Sequence, residues 1–162
     1  MNTTAIGIDA RGYLSGWLQA VTGMMVADIN AIPDDQWSKN QGGCTRPAGA
    51  LLADTITNLI WTTETMNGEE SSAYNNMESL AVECADKSVA ISKLNEATAA
   101  FAASLAAASE ERLNSVVMAP WQMPTPMFML ATIAVNHIWY HDGQLNYLQC
   151  MLGDEKVHWM GD

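Results

Sequence analysis

Two of the three histidines in the chain, His137 and His141, stand four residues apart in the run Asn136-His137-Ile138-Trp139-Tyr140-His141-Asp142-Gly143-Gln144. The run lies inside the longest apolar-rich segment, Met127 to Leu152. On a helix, side chains at this spacing project from one face, one above the other. Leu130, Ile133, Ala134, Leu145 and Leu148 share that face, so both imidazoles are expected to interrupt an apolar stripe and point toward a core. Imidazoles placed there need polar partners. Hydrogen bonds to neighbours would serve, as in any buried histidine, and so would one shared metal ion. The spacing alone leaves both open.

The elements that must position these residues read as helices. Asp9 is placed to cap a first helix running to about Ile29, with Leu14, Trp17, Leu18, Val21, Met24, Met25 and Ile29 at helical spacing. Gly12, Gly16 and Gly23 weaken that helix or allow a neighbour to approach closely. Ile32-Pro33-Asp34-Asp35-Gln36-Trp37 ends it, with Trp37 expected to fold back over one end of the core. Ser38 to Thr45 reads as a polar, Gly-rich loop. A second helix starts near Arg46-Pro47, with Thr45 as its cap, and runs to about Met66. Its core residues are Leu51, Leu52, Ile56, Leu59, Ile60 and Trp61, and Asp54 lies on the edge of that face. A carboxylate there needs a cation, a helix end or a metal, unless it is a solvated boundary residue.

Residues 68–78 read as a connector, and a third helix is expected from near Ser79 to about Ala108. The stretch 109–126, with Pro120, Pro124 and Pro126, resists regular assignment apart from a short extended piece at Val116-Val117-Met118. A loop of this length is often functional or a lid, and Trp121 and Met123 are expected to pack on the bundle mouth. A fourth helix runs from Pro126 or Met127 to Gly153. Residues 1–8 read as a loose lead-in, and His158, near the chain end, as a solvated residue. Four long helices without a strand-period run predict an all-α protein, a single four-helix bundle over residues 1–162.

Bulk properties exclude several functions. Seven Lys and Arg against eighteen Asp and Glu give a formal charge of −11, and the basic residues are scattered. Binding a phosphate backbone needs clustered positive charge, so nucleic acid is not an expected partner. No run approaches a membrane span; the longest apolar one, Met127–Val135, is interrupted by Thr132. No basic region followed by an apolar stretch opens the chain. Cys44, Cys84 and Cys150 are odd in number and far apart, which suits a reducing, cytoplasmic setting rather than a disulfide framework. Cys44, in the Gly-rich loop, is the one expected to be exposed.

Three stretches together resemble the DinB-like superfamily of bacterial four-helix bundle proteins, which includes damage-inducible proteins and thiol-dependent transferases. They are Ile32-Pro33-Asp34-Asp35-Gln36-Trp37, Arg46-Pro47-Ala48-Gly49-Ala50-Leu51-Leu52-Ala53-Asp54, and His137-Ile138-Trp139-Tyr140-His141-Asp142-Gly143-Gln144-Leu145 with Gly153 closing the helix. HxxxH followed by x-Gly-Gln in a terminal helix is the most specific of these. The resemblance implies a divalent metal held by three histidines, one from helix two and two from the HxxxH. His137 and His141 match the pair, but Asp54 stands where helix two would carry its histidine. That departure implies either a His/His/Asp site suited to nickel, zinc, iron or manganese, or the loss of tight metal binding.

With a metal in place, the resemblance implies transfer of a low-molecular-weight thiol to an electrophilic small molecule in stress or detoxification. Metal-dependent hydrolysis is the alternative chemistry. The rival from another class is a metal-free bundle that binds a ligand or protein through its many methionines and tryptophans. The family also implies a homodimer. No general base stands out: Tyr140 projects about 100° from His141, Asn58 follows Asp54 by one turn, and Gln144 is placed to support His141 from behind. Gly143 is expected to let helix four pack closely on a neighbour.

Overall fold

The computed structural model describes residues 9–160; the lead-in expected over 1–8 lies outside them. The helices are α1 (Ala10–Ala31), α2 (Ala48–Asn67), α3 (Met77–Glu83), α4 (Lys87–Ala107), α5 (Glu110–Asn114) and α6 (Met127–Met151). Short 3-10 turns cover Ala73–Asn76 and His158–Met160, and β1 (Val116–Met118) pairs antiparallel with β2 (Pro124–Pro126). The four long helices α1, α2, α4 and α6 form the bundle. α1 packs on α4 and α6, and α2 packs on the same two, so α1 and α2 stand diagonally opposed. Each helix therefore contributes a buried stripe to a single core, which includes Leu18, Met25, Leu52, Leu59, Phe101 and Ile138. No helix among the described residues is long and apolar enough to cross a membrane.

Local chemistry sets the boundaries. The Asp9 carboxylate accepts from Gly12 N and starts α1. α2 opens after Pro47 with no side-chain cap; Thr45 spends its hydroxyl within the loop, on Asn40 and Gly42. The single third helix expected from Ser79 is instead two, broken at Cys84. Asp86 accepts from Ser88 N and Val89 N and starts α4 afresh.

That break is held from outside. The buried Trp37 indole donates to Cys84 O at 2.9 Å, closing one end of the core as its sequence position suggests. Gly49 of α2 packs against the same carbonyl, and a Cβ there would meet Cys84 O at 2.3 Å. The close approach thus occurs at Gly49 and not at Gly16, Gly23 or Gly143, where a Cβ would meet nothing within 4 Å. Gly49→Ala is accordingly expected to lower stability by about 2 kcal/mol or more, because a backbone carbonyl must move. Gly16→Ala, in an exposed helix interior, is expected to raise it by up to about 1 kcal/mol. Urea unfolding followed by circular dichroism reads both signs.

The stretch 109–126 is folded as α5 and the hairpin. Ser109 caps α5, and Met127 N donates to Ser115 O, joining the hairpin to the start of α6. Arg112 donates to Met66 O at 2.9 Å and also to Thr65 O, so it caps the last turn of α2. Trp121 and Met123 do not pack on the bundle as expected. They are exposed at the hairpin tip, while the small Ala119 and the alternating Thr125 turn inward.

Candidate metal centre

α2 and α6 lie side by side, and their facing stripes bring Asp54 to His137 and His141. One ligand atom from each of the three falls within 4.8 Å of the others. Among the described residues no other set of three His, Cys, Asp or Glu side chains does this. His141 is buried, and His137 and Asp54 are partly so. His158 is elsewhere, paired with Asp154 at 2.7 Å.

The hydrogen bonds around these atoms show what the site lacks. His141 Nδ1 meets Gln144 Oε1 at 2.7 Å, and Gln144 Nε2 donates to the Tyr140 hydroxyl at 3.1 Å. In this arrangement Nδ1 carries the proton, because an amide oxygen can only accept. His141 Nε2 is left facing His137 Nε2 at 3.1 Å and Asp54 Oδ2 at 3.4 Å. Three electron-rich atoms converge, and something positive must sit among them: a proton or a metal ion.

The titration behaviour fits either. Hydrogen bonding from His141, and after it from Arg46, holds the Asp54 carboxyl well below the usual carboxylate range. His137 is pushed down to about 4, by burial first and by the neighbouring His141 second. At neutral pH the set therefore offers an ionised carboxylate and, at His137, a neutral imidazole lone pair. Two imidazole nitrogens and one carboxylate oxygen suit iron, nickel, zinc or manganese, so the residues present fit the metal that the resemblance implies.

A family model described as the DinB family matches residues 1–159. The chain belongs to the DinB family. Comparisons with curated proteins and with solved structures find no match. Asp54, at the position where the resemblance places a helix-two histidine, brings its Oδ2 to 3.4 Å from His141 Nε2.

Of the other residues singled out from sequence, Gln144 touches His141 and Tyr140 touches Gln144. Asn58 does not reach the three donors. It is buried and donates to the Tyr74 hydroxyl at 3.0 Å. Burial, and less strongly the Asp54 charge, raises the Tyr74 pKa and keeps that phenol protonated.

Sequence reasoning missed Arg46 as part of the centre. Its NH1 donates to Asp54 Oδ2 at 2.8 Å and its NH2 to Ala50 O at 2.8 Å. The two residues lie eight apart, a spacing at which helix geometry alone suggests no pairing. It missed as well a buried polar seam behind the centre, where Asp28 of α1 meets Asp142 of α6 and accepts from Asn146 at 2.7 Å. A signal was present: Asp28 sits within the buried stripe Val21, Met25, Ile29.

Proposed function

We propose that this DinB protein is a divalent-metal-dependent enzyme that transfers a low-molecular-weight thiol to an electrophilic small molecule. The observation that carries the reading is the convergence of Asp54, His137 and His141, with His141 Nε2 directed at two other electron-rich atoms. A divalent ion bound there would act as a Lewis acid, lowering the pKa of a thiol beside it.

The chain's own residues hold the arrangement. Gln144 fixes the His141 ring so that Nε2, not Nδ1, faces the centre, and Tyr140 fixes Gln144. Arg46 holds the Asp54 carboxylate from the outer side. With three protein ligands, a bound ion would keep coordination positions open for substrate. In the reaction the thiol loses its proton to solvent and a sulfur–carbon bond forms. The bond from that carbon to its leaving group breaks, and the leaving group departs with the electron pair.

The test loads purified protein separately with zinc, nickel, iron and manganese and supplies a panel of low-molecular-weight thiols with monobromobimane as electrophile. At least one loaded form is expected to accelerate thioether formation, and His137→Ala is expected to abolish the acceleration. Thiol-independent hydrolysis of p-nitrophenyl acetate by the loaded protein, without thioether formation, would replace this reading with a hydrolase. Metal retention with neither activity would overturn it.

A further inference from the structure

A cavity of about 290 Å³ is lined by residues that hold the candidate ligands, though by none of the three ligands themselves. Arg46, which holds Asp54, and Gln144, which holds His141, both line it. Leu51 and Leu148, 3% and 5% exposed, supply apolar wall; Tyr147 and Cys44, both exposed, stand at its edge. Among the described residues Arg46 is its one charged lining residue, and none of them brings a carboxylate to its wall. In a chain of net charge −11 that is a local reversal of sign.

We propose that this cavity is the substrate subsite and that it takes a small molecule carrying a carboxylate on a compact apolar body, the carboxylate resting on Arg46. Assigning the cavity to the substrate rests on the metal-centre reading above; its selectivity for an anion does not.

Size, charge and preorganisation each support this. The volume lies at the lower end of small-molecule sites, which suits a compact ligand. A guanidinium has five N–H donors. Arg46 directs two bonds to Asp54 and Ala50, which fix its position and leave three N–H groups for a ligand. Its side chain is 44% exposed, so an anion can reach it without displacing protein. The planar fork matches a carboxylate, whereas the leucine walls give nothing to a second charge. Metal and anion are also coupled through Asp54 Oδ2, the oxygen shared by Arg46 and the ligand cluster. If Asp54 Oδ2 held a divalent ion, its hold on Arg46 would weaken and that of Arg46 on the anion would strengthen, and by linkage the anion would favour the ion by the same factor.

The cysteines provide the readout. Cys44 lines the cavity, Cys150 is exposed away from it, and Cys84 is buried. The protein, kept with chelator, is alkylated with iodoacetamide in the presence of benzoate or its neutral isostere benzamide. Modification at each cysteine is followed by peptide mass spectrometry. Benzoate is expected to slow Cys44 without slowing Cys150. Benzamide is expected to need at least about tenfold more for equal protection, the difference made by charge-assisted hydrogen bonds. Arg46→Gln is expected to abolish the benzoate effect while Cys84 stays unreactive.

Equal protection by benzamide, no protection by benzoate, or protection that survives Arg46→Gln would overturn the proposal. If Cys84 becomes reactive in that variant, the fold has been lost and Arg46→Lys decides. Retained charge without the fork should then weaken benzoate by about tenfold, and an unchanged effect would refute the assignment. Protein that protects Cys44 yet never retains metal would refute the metal-centre reading and leave the anion site standing. Protein that retains metal but shows no anion protection would do the reverse.

Discussion

His137→Ala, His141→Ala and Asp54→Ala are each expected to abolish retention of the one divalent ion per chain that the loaded wild-type protein is expected to carry through gel filtration. Elemental analysis of untagged protein measures this. Loss of a partner that only supports a ligand costs about ten- to hundredfold in metal affinity, and loss of one of three ligands is expected to exceed that. Gln144→Leu falls in the smaller class, because it removes the acceptor on His141 Nδ1 while leaving all three donors in place. The order of effects is therefore diagnostic. Retention of metal by Asp54→Ala would remove Asp54 from the ligand set, and equal losses in Gln144→Leu and His141→Ala would point to collapse of the site rather than ligand loss.

Proton competition gives the same site a pH signature. A metal needs the His137 lone pair, and that ring takes a proton at about 4. Metal affinity is expected to fall as pH drops toward that value and to recover above it, with no requirement for acid-induced unfolding. Circular dichroism at each pH, alongside the metal measurement, separates the two.

Much of this centre was legible in the sequence because its information is local. His137, His141, Gln144 and Tyr140 belong to one helix turn or the next, and helix periodicity orders them without knowledge of the rest of the fold. The apolar stripe of α2 put Asp54 only on the edge of the buried face, where a solvated carboxylate would also fit; its place in the ligand set came from the resemblance to the DinB-like pattern. What was not legible depends on contacts between elements. Arg46 precedes α2 and turns back onto it, and nothing in its neighbours' pattern announces that turn. The break at Cys84 is fixed by Trp37 and Gly49, which are distant in sequence. The exposed Trp121 and Met123 show the opposite failure. Large apolar side chains suggest burial, but a two-stranded hairpin has only one face to bury, and Ala119 and Thr125 use it.

The acid pair behind the centre carries the other large effect. Asp28 and Asp142 are 0% and 2% exposed, and one oxygen of each has no hydrogen-bond partner among the described residues. Burial first, and the Asp28 charge second, push the Asp142 carboxyl up to about 8. Its folded-state pKa thus exceeds the unfolded value of 3.8. Between those values the folded state binds more protons than the unfolded state, so stability falls as pH rises from about 4 to 8 and levels off above. Asp142→Asn removes the ionisable group but keeps a donor toward Asp28. The variant is therefore expected to match wild type near pH 4 and to be more stable at pH 8.5, by an amount on the order of 3–5 kcal/mol at most. Urea midpoints at the two pH values test this. A wild-type midpoint that does not fall with pH, or an Asn variant that falls in parallel with it, would show that the Asp142 carboxyl is not held against ionisation. The same replacement leaves His141, one residue earlier, with its Gln144 partner. Metal retention that survives Asp142→Asn would thus separate the acid seam at the α1–α6 contact from the face proposed to hold the ion.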